Sequence, residues 1–461
     1  MGRYPIDRKE RVTLGGLGQT IHIWGTKNEN PVILFLHGGP GVPNRHDMAK
    51  DGFGLTDDFT VVAWDQRGTG GSYFGCDPES LTLEQLISDC AELISWLCKT
   101  LDKEKIFIVG GSWGTELGTF ACARVPDKIA GYIGYGQVVN GVENENLSYA
   151  FAMRKAKEAN DSESIAKLEQ VGPPVNGQYK PVFEGLMTQR RILGKYGGHT
   201  VKKESYFKGT VLPMLLSTEL SIKDKYGAAK GYKLCLTQMW PTLVNYDFTT
   251  QLHTFEMPYY IFQGRRDENT PAALIQNYYD SIEAPDKDLI WFENSAHRPL
   301  SEEPELFRKH LRKKFPKKPE TAGGERNNEK NNKRQDLRPV PRRFCKGTYQ
   351  RYYYNIPADL LYPHELEHNS AAVFCESRAD YGDNSRNRHG YRRCYRPVGR
   401  EPFGQQQGKE RQAHLFYALV SYTLRAVLPA YLFPARGGFE RYKRHMGRRD
   451  ARALLPVLDA L

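Results

Sequence analysis

The sequence has few of the features expected of a secreted or metal-binding protein. Only eight of its 461 residues are cysteine, and those before residue 316 form no Cys-x-x-Cys pair and no regular spacing. Scattered cysteines of this kind are typical of small buried side chains in a reducing compartment. They do not suggest a disulfide framework or a zinc site. We therefore expect neither a metal nor a cofactor.

Long apolar runs are also lacking. The first ten residues, MGRYPIDRKE, contain no apolar segment of the secretory type, and no run before residue 316 reaches the roughly 20 apolar residues of a membrane span. The apolar segment 415–433 is interrupted by Arg425 and Pro429, which argues against a span there as well. We expect a cytoplasmic protein without a membrane partner.

Charge is distributed unevenly along the chain. Residues 316–461 contain 28 Lys and Arg against 15 Asp and Glu, whereas the whole chain contains 65 and 54. Residues 1–315 therefore contain 37 and 39 and are nearly neutral. The basic tail lacks a sustained period of 2 or 3.6, and its composition predicts disorder. It is either an RNA- or phosphate-binding arm, in which tyrosines stack between arginines, or an extension without function, and composition favours the second interpretation.

The body of the chain alternates between apolar runs and helical patterns. Residues 31–36, 59–64, 106–109 and 129–135 are typical of strands that are buried on both faces, and apolar residues recur at helical spacing over 83–97. Helices are also predicted over 271–282 and 302–315, the second with Pro304 in its first turn. Strands that alternate with helices predict an α/β protein with a doubly wound, mostly parallel sheet. In such sheets, ligands bind beyond the carboxyl ends of the strands.

Residues 137–255 depart from this pattern. They are polar, helix-rich and scattered with aromatic side chains, and the strand pattern resumes after them. We therefore predict a helical cap at 137–255 that is inserted into a core made of residues 1–136 and 256–315. The basic extension, residues 316–461, follows the core.

Ser112 lies in the segment GGSWG (110–114), between an apolar strand and a helical run. A strand, a glycine-bounded serine and a helix in this order predict a nucleophile elbow. The turn is so sharp that the serine has a strained backbone and an exposed hydroxyl. Ser112 is therefore the candidate nucleophile.

A serine hydroxyl becomes a good nucleophile when a neutral imidazole takes its proton and a carboxylate orients that imidazole. In this architecture the acid and then the histidine follow later strands. Asp267 follows the apolar run 257–262, and His297 follows the run 289–292. We predict that His297 is the base and Asp267 the acid.

The anionic oxygen of a tetrahedral intermediate needs two N–H donors. One is expected from Trp113, directly after the nucleophile, and the other from Gly38 or Gly39 in the loop after the early strand. His37 begins this loop and is expected to shape it, not to act as the base.

Five motifs in a fixed order resemble the α/β-hydrolase superfamily and, within it, the proline iminopeptidase (prolyl aminopeptidase) branch: HGGPG (37–41), DQRGTGGS (65–72), GGSWG (110–114), GRRD (264–267) and SAH (295–297). The resemblance covers residues 5–315. It implies the α/β-hydrolase fold and a cap that shapes the substrate pocket. It also implies a serine hydrolase that cleaves small amide or ester substrates through an acyl-enzyme.

The resemblance assigns the catalytic roles to Ser112, Asp267 and His297 and makes Gly39 and Trp113 the oxyanion hole. An aminopeptidase of this branch acts on short peptides or related small molecules. Serine at position 112, where epoxide hydrolases and dehalogenases have an aspartate, argues against those two chemistries.

The substrate is less sharply defined by the motifs. Proline iminopeptidases hold the free amino terminus of a peptide with cap glutamates, whose surrounding motif is not found here. Glu204 and Glu219 are the candidates for this role, although surface glutamates are common on cap helices. A general carboxylesterase or lactonase of the same fold is the alternative function, and nucleic-acid binding through the basic tail is the second alternative.

Overall fold

The computed structural model describes residues 4–48, 52–203 and 207–316. Apart from Pro316, the residues of the predicted tail therefore lie outside the described part of the chain. Glu204 lies outside it as well. Within the described ranges, no helix combines the length and apolar character needed to cross a membrane.

Eight strands form one sheet in the order β1-β2-β4-β3-β5-β6-β7-β8. The strands are β1 (Ile6–Leu14), β2 (Leu17–Gly25), β3 (Val32–Leu36), β4 (Thr60–Asp65), β5 (Ile106–Gly111), β6 (Ile129–Tyr135), β7 (Tyr259–Gly264) and β8 (Lys287–Phe292). β1 pairs antiparallel with β2, and β2 pairs antiparallel with β4. All other neighbours are parallel. The predicted α/β architecture with a mostly parallel sheet is confirmed.

Helices connect the strands. They are α1 (Arg45–Met48), α2 (Leu83–Thr100), α3 (Trp113–Arg124), α4 (Gly141–Glu158), α5 (Ser162–Val171), α6 (Val182–Lys195), α7 (Leu212–Leu216), α8 (Ile222–Leu243), α9 (Phe248–Gln251), α10 (Ile275–Ser281), α11 (Pro299–Glu302) and α12 (Pro304–Lys314). Helices α4 to α9 lie between β6 and β7, in the segment for which the sequence predicted a cap.

The hydrophobic core lies on both faces of the sheet. All residues of β3 are buried, and successive side chains enter opposite layers, as the period of two in a strand requires. Leu34 joins the layer that contains Leu93 of α2 and Leu117 of α3. Phe35 joins the layer that contains Phe307 of α12. The apolar runs of the sequence thus mark strands that are covered on both sides.

Two helix boundaries differ from the predicted ones because of proline. The predicted helix over 271–282 starts as a 3₁₀ turn at Ala272–Leu274 and becomes regular only in α10, since Pro271 itself has an extended backbone. The predicted helix over 302–315 is divided at Glu303, with φ −128° and ψ 59°. Pro304 then occupies the first position of α12, where its missing N–H costs no helical hydrogen bond.

A buried charge network joins the cap helix α8 to the core. Arg45 Nη2 lies 2.9 Å from Asp65 Oδ2 and 2.8 Å from Asp224 Oδ2, and Lys9 Nζ lies 3.0 Å from the same oxygen of Asp224. Asp224 also forms a capping box with Ser221 at the start of α8. Burial alone would raise the pKa of Asp224, but hydrogen bonds from Arg45 and Lys9 lower it to about 2.

Removing the Asp224 charge should loosen α8. We expect Asp224→Asn to lower the free energy of unfolding by about 3 kcal/mol, because Arg45 stays buried with only one carboxylate. Urea unfolding followed by circular dichroism measures the change. The matched control is Glu184→Gln, whose ion pair with Lys233 is exposed and is expected to contribute less than about 1 kcal/mol. Equal losses in the two variants would contradict this role of the network.

Candidate active site

Ser112 lies at the tight turn from β5 into α3. Its backbone has φ 55° and ψ −126°, a conformation that is rare for a residue with a side chain. The turn needs glycine on both sides. A Cβ on Gly110 would lie 2.4 Å from the Gly114 carbonyl oxygen, and a Cβ on Gly114 would lie 2.1 Å from the Leu36 carbonyl oxygen. The geometry is that of a nucleophile elbow, in which the serine side chain is held above the sheet.

The Ser112 side chain is half-buried and lines a cavity of about 570 Å³. Its backbone N–H donates to the Tyr135 carbonyl oxygen at 3.0 Å, which ties the elbow to the end of β6. Among the described residues, the Ser112 hydroxyl has no hydrogen-bond partner. The residue therefore offers its hydroxyl to a molecule that occupies the cavity.

Asp267 and His297 follow β7 and β8 and lie in contact. His297 Nδ1 is 2.9 Å from Asp267 Oδ2, and both side chains are buried. The other Asp267 oxygen accepts the backbone N–H groups of Asn269 at 2.8 Å and Thr270 at 3.0 Å. Gln263 Nε2 donates to Oδ2 at 2.9 Å. These donors fix the carboxylate in the position from which it orients the imidazole.

Two residues that lie close to Asp267 in the sequence contact the nitrogens of the His297 ring. The Thr270 hydroxyl donates to Asp267 Oδ2 at 2.8 Å and lies 3.1 Å from His297 Nδ1. The Asn269 side-chain amide lies 3.1 Å from His297 Nε2. With two acceptors beside Nδ1 and a donor beside Nε2, the network favours the tautomer with the proton on Nδ1. Nε2 is then the nitrogen that can accept a proton.

Gly39 and Trp113 line the cavity together with Ser112. Trp113 is the first residue of α3, where a backbone N–H has no intrahelical acceptor. The Gly39 N–H likewise has no hydrogen-bond partner in the described part of the chain. Two such donors beside a serine can stabilise a negatively charged oxygen.

His37 is buried below the glycine loop and does not reach Asp267. Its Nδ1 donates to the Gly38 carbonyl oxygen at 2.9 Å, and its Nε2 accepts the backbone N–H of Gln66 at 3.2 Å. Burial lowers the pKa of His37 to about 4, so the imidazole is neutral near pH 7. Both ring nitrogens are used to hold the loop in place.

Residues of the core and of the cap segment both line the cavity. The cap side contributes Leu186, Met187, Arg190, Tyr232, Leu236, Trp240 and Leu243. The candidate Glu219 is exposed and does not line the cavity, so the structure does not bring it to the site. Within the described ranges, no group of three or more His, Cys, Asp and Glu side chains has the arrangement of a metal site.

The sequence did not identify Thr270, Asn269 or Gln263 as parts of the site. Asn269 and Thr270 lie two and three residues after the acid, and their proximity to Asp267 along the chain was the only available signal. Gln263 is the penultimate residue of β7, where alternation points its side chain into the protein. Glu116 of α3 also lines the cavity and was missed.

Comparisons with known proteins agree on one family. Residues 31–162 match the family model described as the alpha/beta hydrolase fold. The protein of Bacillus subtilis (strain 168) named probable aminopeptidase YbaC is 30% identical over 304 residues, which cover 65% of this chain and 93% of that protein. A proline iminopeptidase of Heyndrickxia coagulans is 27% identical over 290 residues, covering 60% and 87%.

Solved structures share the fold as well. The proline iminopeptidase-related protein of Thermus thermophilus has a TM-score of 0.50 and 18% sequence identity, and the match covers 67% of this chain and 97% of that chain. At this level of identity, the likeness concerns the fold.

The Thr270 hydroxyl offers a test of the acid–base geometry. We expect Thr270→Val to slow the reaction of Ser112 with a fluorophosphonate about fivefold, because the loss of a hydrogen bond worth about 1 kcal/mol lets Asp267 and His297 shift. The rate is measured from labelling reactions that are quenched at successive times. Thr249→Val is the matched control, since the Thr249 hydroxyl donates to Asp247 at 2.6 Å and does not line the cavity. Equal labelling rates in Thr270→Val and the unmodified protein would contradict the assigned geometry.

Proposed function

Because the chain belongs to the proline iminopeptidase-like branch of the α/β-hydrolase family, we propose that it is a serine hydrolase that releases N-terminal residues from short peptides or related small amides. The observation that carries this proposal is the hydrogen bond of 2.9 Å between Asp267 and His297 on the cavity that Ser112 lines. The relatives named as aminopeptidases support the substrate class.

The first half of the proposed reaction forms an acyl-enzyme. His297 Nε2 takes the proton of the Ser112 hydroxyl while Oγ attacks the carbonyl carbon of the scissile amide. The negative charge that develops on the carbonyl oxygen is stabilised by the N–H groups of Gly39 and Trp113. When the intermediate collapses, the C–N bond breaks and His297 returns the proton to the leaving amine.

The second half regenerates the enzyme. A water molecule loses a proton to His297 Nε2 and attacks the acyl carbon, and the Ser112 oxygen leaves with that proton. Asp267 stays negatively charged throughout and stabilises the imidazolium formed in each half. The Asn269 amide must release Nε2 before either proton transfer, because both need the same lone pair.

The cavity favours small substrates. Its volume of about 570 Å³ lies within the range of sites for small molecules, and the cap segment contributes part of its wall. An extended polypeptide would fill this space with its first few residues. Short peptides and small amides therefore fit the proposed site better than internal segments of a folded protein.

The test combines one variant with two substrates. We expect the full-length protein to hydrolyse proline p-nitroanilide with a higher kcat/KM than p-nitrophenyl acetate, and Ser112→Ala to lower kcat on both by roughly 10⁴-fold or more. Release of the chromophore measures both rates. As a control for correct folding, Ser112→Ala should have the same melting temperature as the unmodified protein.

The outcomes separate the competing functions. Hydrolysis of the ester alone, lost in Ser112→Ala, would identify a general esterase and contradict the aminopeptidase. Activity that persists in Ser112→Ala would contradict the serine mechanism itself.

A further inference from the structure

Glu116 is a buried carboxyl group without a partner in the described part of the chain. The residue is 3% exposed, it lines the cavity, and one of its carboxyl oxygens is completely buried without a hydrogen-bond donor. Burial raises the pKa of the Glu116 carboxyl well above its usual range, and no neighbouring cation offsets that shift. A group of this kind is costly to bury, which points to a partner that arrives from outside the protein.

The other two carboxyl groups on the cavity wall are either paired or open to solvent. Glu145 is paired with Arg190 and accepts a hydrogen bond from Asn144 at 3.0 Å. Asp47 lies 3.4 Å from His46, and its side chain is one-third exposed, at 33%. Glu116 therefore differs from both in having a buried carboxyl that faces the cavity and remains unsatisfied.

The position of Glu116 relates it directly to Ser112. Glu116 lies in the first turn of α3, four residues after Ser112 along the chain. Both residues line the same cavity. A small substrate that occupies the cavity beside Ser112 can therefore also contact the Glu116 carboxyl group.

We propose that Glu116 binds the free α-ammonium group of the substrate and selects acyl groups that carry a positive charge next to the scissile carbonyl. An ammonium group supplies both the charge and the N–H donors that the carboxylate lacks. The first turn of α3 also favours a negative charge at this position. This role deepens the proposed aminopeptidase function, on which it rests, and places the selecting carboxylate on the core helix that follows the nucleophile.

The recognition is limited to one end of the substrate. In the proposed complex Glu116 holds the acyl part of the substrate, whereas the leaving group departs towards His297, which must protonate it. An amine on the leaving group therefore gains nothing from Glu116. An enzyme that recognises this charge should cleave after the first residue of a peptide and should reject a peptide whose amino terminus is acetylated.

The experiment compares two methyl esters that differ only in the amino group, alanine methyl ester and methyl propionate. Full-length protein is assayed by acid release at a pH at which the amine is charged. We expect the unmodified protein to hydrolyse alanine methyl ester faster than methyl propionate. Glu116→Gln should lower the ratio of the two rates roughly 10- to 100-fold. The loss should come from the rate on alanine methyl ester alone. Glu116→Asp, which keeps the charge, should retain part of the preference.

Glu79→Gln is the matched control, because Glu79 is exposed and does not line the cavity, and it should leave both rates unchanged. The melting temperature of Glu116→Gln should equal or exceed that of the unmodified protein, since no ion pair is broken. An unchanged preference in Glu116→Gln, or an equal loss on both esters, would overturn the inference.

Methyl esters keep this test separate from that of the proposed function. A protein that prefers alanine methyl ester through Glu116 but leaves proline and alanine p-nitroanilide intact would support the ammonium site and contradict the aminopeptidase. A protein that cleaves the anilides but shows no preference between the esters would support the aminopeptidase and overturn the role of Glu116.

Discussion

The site depends on a backbone conformation that Ser112 can hold only because the chain around it packs so closely. A residue with φ 55° and ψ −126° is strained by a cost of the order of 1–3 kcal/mol, and the surrounding structure must offset it. Gly114 lets α3 approach the end of β3, and the N–H of Ser112 is anchored at the end of β6. The same close approach brings the loop that contains Gly39 beside the serine, so the elbow and the second N–H donor share one structural cause.

Two buried carboxyl groups show how differently the fold treats negative charge around this elbow. Asp267 is surrounded by backbone N–H groups, the Gln263 amide, the Thr270 hydroxyl and His297. Glu116 has none of these. The first arrangement fixes a carboxylate beside the His297 imidazole, and the second leaves a carboxyl group for which we propose a charged partner from the ligand. Glu116 lines the cavity itself, whereas Asp267 contacts His297 and Thr270, which line it.

Much of the core could be read from the sequence, because buried parallel strands need continuous apolar runs. Those runs placed the strand ends, and the strand ends placed Ser112, Asp267 and His297. The candidate acid and base could then be assigned from their order along the chain, without information about long-range contacts. Proline set the helix boundaries that differ, at Pro271 and Pro304, where the missing N–H and the fixed φ act locally.

The substrate-binding residues could not be predicted in the same way. A cavity wall is made of side chains from distant segments, and charge alone does not distinguish an exposed glutamate from one in a pocket. Glu219 lies in the segment predicted as a cap and is exposed, whereas Glu116 is an ordinary helix position in the sequence and lies buried in the cavity wall. Burial together with the absence of a partner among the described residues was visible only in three dimensions.

The most direct test of the account is to isolate the covalent intermediate. The protein would be mixed with p-nitrophenyl acetate, quenched with acid during turnover and digested, and the acetylated peptide located by mass spectrometry. We expect one acetyl group on the peptide that contains Ser112. Hydrolysis during which no acetyl group is found there, or which acetylates a different residue, would contradict it.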